Sequence, residues 1–143
     1  MNYFNDTFRD AGILMLRFGI GFMIMLHGYP KITGGPETWA FLGSTMANIG
    51  ITFWPVFWGF MAAVTEFFGG IFLMLGLLHR VSAALLTFTM FVAAMMHYSN
   101  GDPFMQPGGP DIAYAVELGI VFFAMALIGP GKYALDNLIF KKK

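Results

Sequence analysis

Five ionisable side chains, Arg17, His27, Glu66, His97 and Glu117, stand within or at the ends of long apolar runs in a chain that is only 11% charged. Placing a charge in hydrocarbon costs at least about 2.5 to 3.5 kcal/mol, so such residues pair with one another or serve a ligand, an ion or a proton. One guanidinium against two carboxylates leaves a negative charge in excess in a low-dielectric site. A proton held on a carboxyl, or on His27 or His97, would balance it and could be exchanged with a bound ligand. The competing reading is a buried ion-pair cluster of Arg17, Glu66 and Glu117 that only fixes how helices assemble. His27 and His97 could also ligate haem or a metal, but no His-x-x-x-His spacing or supporting cluster accompanies them, so no metal site is assigned. Lys31, one turn beyond His27, reads as a cation snorkelling to the membrane surface.

The elements that hold these residues are apolar. The 143 residues are 57% hydrophobic with 17 phenylalanines, and a mean hydropathy of +0.67 lies outside the range of ordinary soluble domains. A net charge of zero provides no basic field for nucleic acid. The absence of cysteine removes disulfides, thiolate metal sites, iron-sulfur clusters and dithiol relays. The twelve methionines are spread through the apolar runs as adaptable packing, with no copper-binding array among them. The first run carries Arg17 in its middle and lacks a basic leader and a small-x-small cleavage site, so it reads as retained, not as a secretion signal.

A bilayer core about 30 Å thick takes roughly 17 to 25 helical residues to cross, and four stretches qualify: 11–29, 55–78, 81–98 and 112–128. The sequence therefore predicts a single-domain, all-α integral membrane four-helix bundle over residues 1–143. Tyr29-Pro30 should end the first helix and Gly129-Pro130-Gly131 the fourth, Asp111 should cap the fourth, and His79-Arg80 should form a tight hairpin turn. Between the first two helices, Trp39, Leu42, Met46 and Ile49 at spacings of three and four predict a short amphipathic helix in the headgroup region, among Phe53, Trp54 and Trp58. Ser99 to Pro110 reads as an irregular external loop. Arg9, Arg80, Lys132, Lys141, Lys142 and Lys143 collect on one side against Lys31 on the other, which places both termini in the cytoplasm of a cell with this chain in its inner membrane.

On the second helix, Gly59, Ala62, Ala63, Glu66, Gly69, Gly70 and Gly76 form a face of small residues, so Glu66 should point toward neighbouring helices while Phe67, Phe68, Phe72 and Leu75 meet lipid. At 1.5 Å per residue, Arg17 lies roughly 9 Å above the cytoplasmic end of its helix, with Glu66 near the midplane and Glu117 slightly further out. His27 and His97 complete a polar column toward the external face.

Leu16-Arg17-Phe18-Gly19, Leu26-His27-Gly28-Tyr29-Pro30-Lys31 and Glu66-Phe67-Phe68-Gly69-Gly70, followed by Leu73, Gly76-Leu77 and Arg80, resemble the DoxX family of small four-helix membrane proteins. The resemblance covers almost the whole chain, and His97 and Glu117 fall where that family tends to place polar residues. It implies that Arg17, His27, Glu66, His97 and Glu117 form a polar core. Because members are associated with quinone-linked oxidation of thiosulfate and with membrane oxidoreductase complexes, it also implies a quinone as the ligand or cofactor. The apolar bundle would admit the isoprenoid tail, and an electron-donating membrane or peripheral subunit, or a substrate that reduces the quinone directly, would be needed, since the chain has no flavin fingerprint, cysteine cluster or haem pair. Distant relatives act as assembly chaperones or cargo receptors, which implies the alternative of a noncatalytic scaffold whose charges are structural. A branch linked to disulfide chemistry does not fit a chain without cysteine. A small-solute transporter is disfavoured by the lack of an internal repeat, and no enzyme triad or phosphate loop is present. A homo-oligomer is compatible with every one of these readings.

Overall fold

In the computed structural model the described residues are 3–108 and 111–140. Pro110 of the expected external loop and the basic Lys141, Lys142 and Lys143 lie outside them. Every regular element among the described residues is helical: α1 (Tyr3–Thr33), α2 (Gly35–Ser44) continued by a 3-10 turn (Thr45–Ile49), α3 (Pro55–Leu75), α4 (His79–Ser99), α5 (Ile112–Ile128) and a short α6 (Asp136–Ile139). Three segments, Asp6–Thr33, Pro55–Leu75 and His79–Ser99, are long and apolar enough to cross a membrane, and α5 is a shorter apolar helix of 17 residues.

The helix ends show which local rules prevail. The first helix does not stop at Tyr29-Pro30; it carries Pro30 inside its last turn, where the missing N–H forfeits little of the ladder. Gly35, at φ +75°, breaks it instead. α3 stops at Gly76 and not at Leu78: Gly76 adopts φ +65°, and the N–H groups of Gly76 and Leu77 bond back to the Leu73 and Phe72 carbonyls at 3.1 and 2.9 Å, a glycine-terminated helix end. His79 and Arg80, expected to form the turn, are the first residues of α4. Leu78 before them holds φ +46°, a conformation costing on the order of 1–3 kcal/mol for a residue with a side chain. The Asp136 carboxylate supports it by accepting from the Leu78 and His79 N–H groups at 2.7 and 3.0 Å. Asp111 caps α5 as expected, its extended backbone letting the carboxylate accept from the Tyr114 N–H at 3.0 Å.

α1 and α2 both pack on α3, α3 packs on α4, and α4 on α5. Ile24, Leu73, Leu86, Phe122 and Met125, drawn from the four long helices, meet in the core. Because lipid is as apolar as leucine, close approach of small residues has to supply the contact energy between such helices. α1 therefore buries Arg17, Gly21, Ile24 and Gly28, and α3 buries Ala63, Glu66, Gly70 and Leu73. A Cβ on Gly70 would stand 2.6 Å from the Gly21 carbonyl oxygen, and one on Gly28 2.8 Å from the Glu66 carbonyl carbon. Glu66 thus faces helices, as its stripe of small neighbours predicts. Phe68 and Leu75 are exposed, while Phe67 and Phe72 are half-buried.

Candidate functional site

The α1/α3 seam places a charge pair where α1 nears its end. Glu66 is only 2% exposed, and Lys31 Nζ donates to both of its carboxylate oxygens at 2.6 Å. Lys31 reaches this position because α1 continues past Pro30 for another turn, extending the stripe that contains Gly21, Ile24 and Gly28. It is the partner of a buried carboxylate, and the expected snorkelling role is corrected. The Lys31 carbonyl accepts from the Trp39 indole N–H at 2.9 Å, which ties α2 to the last turn of α1. Beside that indole, Trp39, Trp54, Pro55, Val56, Phe57 and Phe60 line an open apolar groove of about 690 Å³.

Tyr114, in the first turn of α5, lies within electrostatic reach of Glu66. Its hydroxyl is 3.2 Å from His27 Nε2. Both residues are exposed on the surface of the apolar helices, and the direction of their hydrogen bond follows the imidazole tautomer. Lys31 of α1 and Glu66 of α3 thus form an ion pair, half-buried at Lys31 and buried at Glu66, and His27, next to the Gly28 that packs on Glu66, and Tyr114 of α5 form an exposed pair beside it. Next to it, hydrogen bonds from the Tyr114 and Gln106 N–H groups hold the Asp111 carboxyl below the usual carboxylate range.

The other expected core residues lie elsewhere. Arg17 is 1% exposed but meets neither Glu66 nor Glu117. Its guanidinium packs at Gly76, in the space a Cβ there would occupy; Nη1 donates to the Pro130 carbonyl at 3.1 Å and Nη2 to that of Tyr133. Gly76 is ten residues along α3 from Glu66, about 15 Å at helical rise, too far for a side-chain contact. Arg80 acts similarly on the end of α5, donating to the Ala126 and Leu127 carbonyls at 2.7 and 3.2 Å. His97 Nδ1 lies 2.7 Å from Asp102 Oδ2, closing the start of the loop after α4. Glu117 is exposed on α5. The polar column expected from the sequence is therefore divided: Glu66 and His27 share a cluster, while Arg17, His97 and Glu117 stand apart from it.

Three residues of consequence were not singled out from the sequence as parts of a site. Lys31 shares the 17, 21, 24, 28, 31 spacing of the α1 stripe, a signal that was available. Tyr114 follows its cap by three residues, which places it in the first turn but says nothing of a partner. His79 is fully buried with Nε2 3.2 Å from the Met125 carbonyl oxygen, an acceptor that carries no side-chain signature. Among the described residues no group of three or more His, Asp or Glu side chains could hold a metal ion.

Comparison with known proteins identifies the lineage. The DoxX family model matches residues 12–99, a stretch containing Arg17, His27, Lys31, Glu66 and His97 but ending before Tyr114 and Glu117. "Putative oxidoreductase CatD" of Bacillus subtilis is 32% identical over 139 residues, covering 97% of this chain and 94% of that protein. "Inner membrane protein YqjF" of Escherichia coli is 29% identical, covering 93% and 95% of the two chains. "Inner membrane protein YphA" of the same organism is 26% identical over 96% and 97%. No solved structure matches significantly. With more than half of its length matched by the family model and its relatives aligned nearly end to end, this chain belongs to the DoxX family of membrane proteins.

Proposed function

We propose that this chain is an integral membrane subunit of a quinone-linked oxidoreductase system, and that it receives the headgroup of a quinone or similar lipophilic ligand at His27 and Tyr114, backed by Lys31 and Glu66. The observation that carries the reading is the His27–Tyr114 contact: two hydrogen-bonding side chains exposed on apolar helices. In hydrocarbon they have only each other, or a polar group arriving from the lipid, to bond with. The residues fit a ring carbonyl, which needs a donor. The Tyr114 hydroxyl can rotate from His27 to such an oxygen, and His27 Nε2 can take or return the proton that moves with it. Lys31 neutralises Glu66, so the interior behind the site carries no net charge. A quinone, when bound, supplies a carrier that takes up electrons together with protons. The electrons come from an electron-donating partner or from a substrate that reduces the quinone directly, because this chain has no cysteine for a cluster and no flavin fingerprint. One relative carries oxidoreductase in its name.

The same reading takes α5 as a fourth span, at the short end of the roughly 17 to 25 residues that can cross. It puts α2 and its aromatic neighbours in the headgroup layer, and both termini in the cytoplasm of a cell whose inner membrane holds the chain. Support for the orientation comes from the exposed Arg9, Arg80 and Lys132, which all belong to the N-terminal and α3–α4 side, while Lys31 at the other end is tied to Glu66. A second reading, a noncatalytic scaffold or assembly factor, draws support from Arg17 and Arg80, whose charges are spent on backbone carbonyls. Organic extraction and mass spectrometry of gently purified protein separate the two. Quinone at near-stoichiometric amount supports the ligand reading; no quinone, with a stable co-purifying protein, supports the scaffold.

A further inference from the structure

Glu117 sits on the exposed side of α5, one turn beyond Tyr114, and makes no hydrogen bond or ion pair among the described residues. A carboxyl facing hydrocarbon is among the costliest placements in a membrane protein and is retained where another group covers it. Whatever covers Glu117 must bring a hydrogen-bond donor at the same depth. This chain carries one: His27 is exposed, faces Tyr114 through Nε2, and leaves Nδ1 without a partner among the described residues. The Tyr114–His27 contact sets the level of His27, and Glu117 lies three residues further along α5, about 4.5 Å deeper. Because Cα–Cβ bonds tilt toward a helix's N-terminus, His27 on α1 leans toward Glu117's level and Glu117 on the oppositely running α5 leans toward that of His27.

A two-fold axis along the membrane normal preserves depth and repeats every contact twice, so the Glu117 of one copy can meet the His27 of another at both places. The outward face of α1 suits such an approach. Gly12 and Gly19 are exposed seven residues apart, and a Cβ added at either would meet nothing within 4 Å; small residues of this kind allow membrane helices to pack closely. We propose that a second copy of this chain packs on the α1/α5 face about that axis, each Glu117 accepting a hydrogen bond from the His27 Nδ1–H of the other copy. Nε2 is then left as the acceptor facing Tyr114, and Tyr114, His27 and the second copy's Glu117 form one line of hydrogen bonds. The ligand site of the preceding section is thereby completed by the second copy, but the pairing itself requires no ligand.

Native mass spectrometry from lipid nanodiscs tests it, and because the chain has no cysteine, Gly19→Cys adds a single thiol for oxidative cross-linking. The parent should be a dimer and Gly19→Cys should cross-link to itself. Glu117→Leu places a residue better suited to lipid at the same position and should shift the mass to the monomer. Gly19→Leu, at an exposed position where an added Cβ meets nothing within 4 Å, should do the same while remaining folded. Glu117→His combined with His27→Glu should restore the dimer. A monomeric parent overturns the proposal, as does either leucine variant dimerising like the parent. A dimer that holds no quinone supports the pairing while counting against the ligand reading.

Discussion

Replacing Lys31 with methionine keeps the length of the side chain and removes only the charge that Glu66 uses. Glu66 is 3% exposed at its side chain and Lys31 32%, so the loss strands a buried carboxylate, a change that costs about 3–5 kcal/mol when an ion pair is fully enclosed. The partial exposure of Lys31 favours the lower end of that range. A stranded carboxyl can also escape by taking up a proton: an ordinary glutamic acid titrates near 4.3, so holding one neutral at pH 7 costs about 3.7 kcal/mol, and at pH 5 about 1 kcal/mol. The lesser of the two costs applies, so Lys31→Met should lose about 3 kcal/mol at pH 7 and about 1 kcal/mol at pH 5. The sign follows because the unfolded carboxyl gives up its proton above pH 4.3 while the stranded one keeps it, so stability falls as pH rises. Adding Glu66→Gln should recover most of the loss at pH 7, since no charge is then left unpaired. Reversible unfolding in mixed detergent micelles, followed by tryptophan fluorescence at the two pH values, measures all three proteins. Equal stability of Lys31→Met and the parent at pH 7, or additive losses in the double variant, would refute the reasoning.

The same unfolding measurement extends to Gly28, Gly12 and Arg17. Gly28→Ala must part α1 from α3, because the new Cβ meets the Phe67 N–H and the Glu66 carbonyl carbon, and should cost about 1–3 kcal/mol; Gly12→Ala meets nothing and should gain up to about 1 kcal/mol from helix propensity. Arg17→Met frees the Pro130 and Tyr133 carbonyls and should cost about 1–3 kcal/mol, with no recovery on adding Glu66→Gln. Recovery there would place Arg17 and Glu66 in one site after all. Asp111 should keep α5 capped as pH falls past the ordinary value near 3.9, losing the cap only as pH passes through its own lower value. Hydrogen exchange at the Tyr114 amide follows this directly, and Asp111→Asn should flatten the pH dependence while keeping a cap.

Much of the architecture was legible because it rests on local rules. Asp111 before an apolar run and Gly129-Pro130 after it bound α5 where they should, and the small residues around Glu66 oriented it toward other helices. Pro30 misled because a proline's cost depends on how much helix follows it, and only one turn does. That turn decides the site: ending α1 at Tyr29 leaves Lys31 in a loop and Glu66 in need of Arg17. Arg17 itself could not be placed, since its partners are carbonyls of Pro130 and Tyr133, and every residue has a carbonyl. The separation of Glu117 from the other charged residues is a matter of helix rotation, which a helix apolar on nearly all sides does not encode.

The direct measurement is equilibrium binding of a short-chain quinone to the protein in lipid nanodiscs between about pH 5 and 8, the range in which histidine changes charge, for the parent, Tyr114→Phe and His27→Ala. If His27 and Tyr114 receive the headgroup, the parent binds saturably and with pH dependence. Each variant then binds roughly tenfold more weakly, the effect of about 1.4 kcal/mol from one lost hydrogen bond, while remaining folded. Equal affinity in all three folded proteins, or no saturable binding in any of them, contradicts the assignment and leaves the cluster as part of the scaffold.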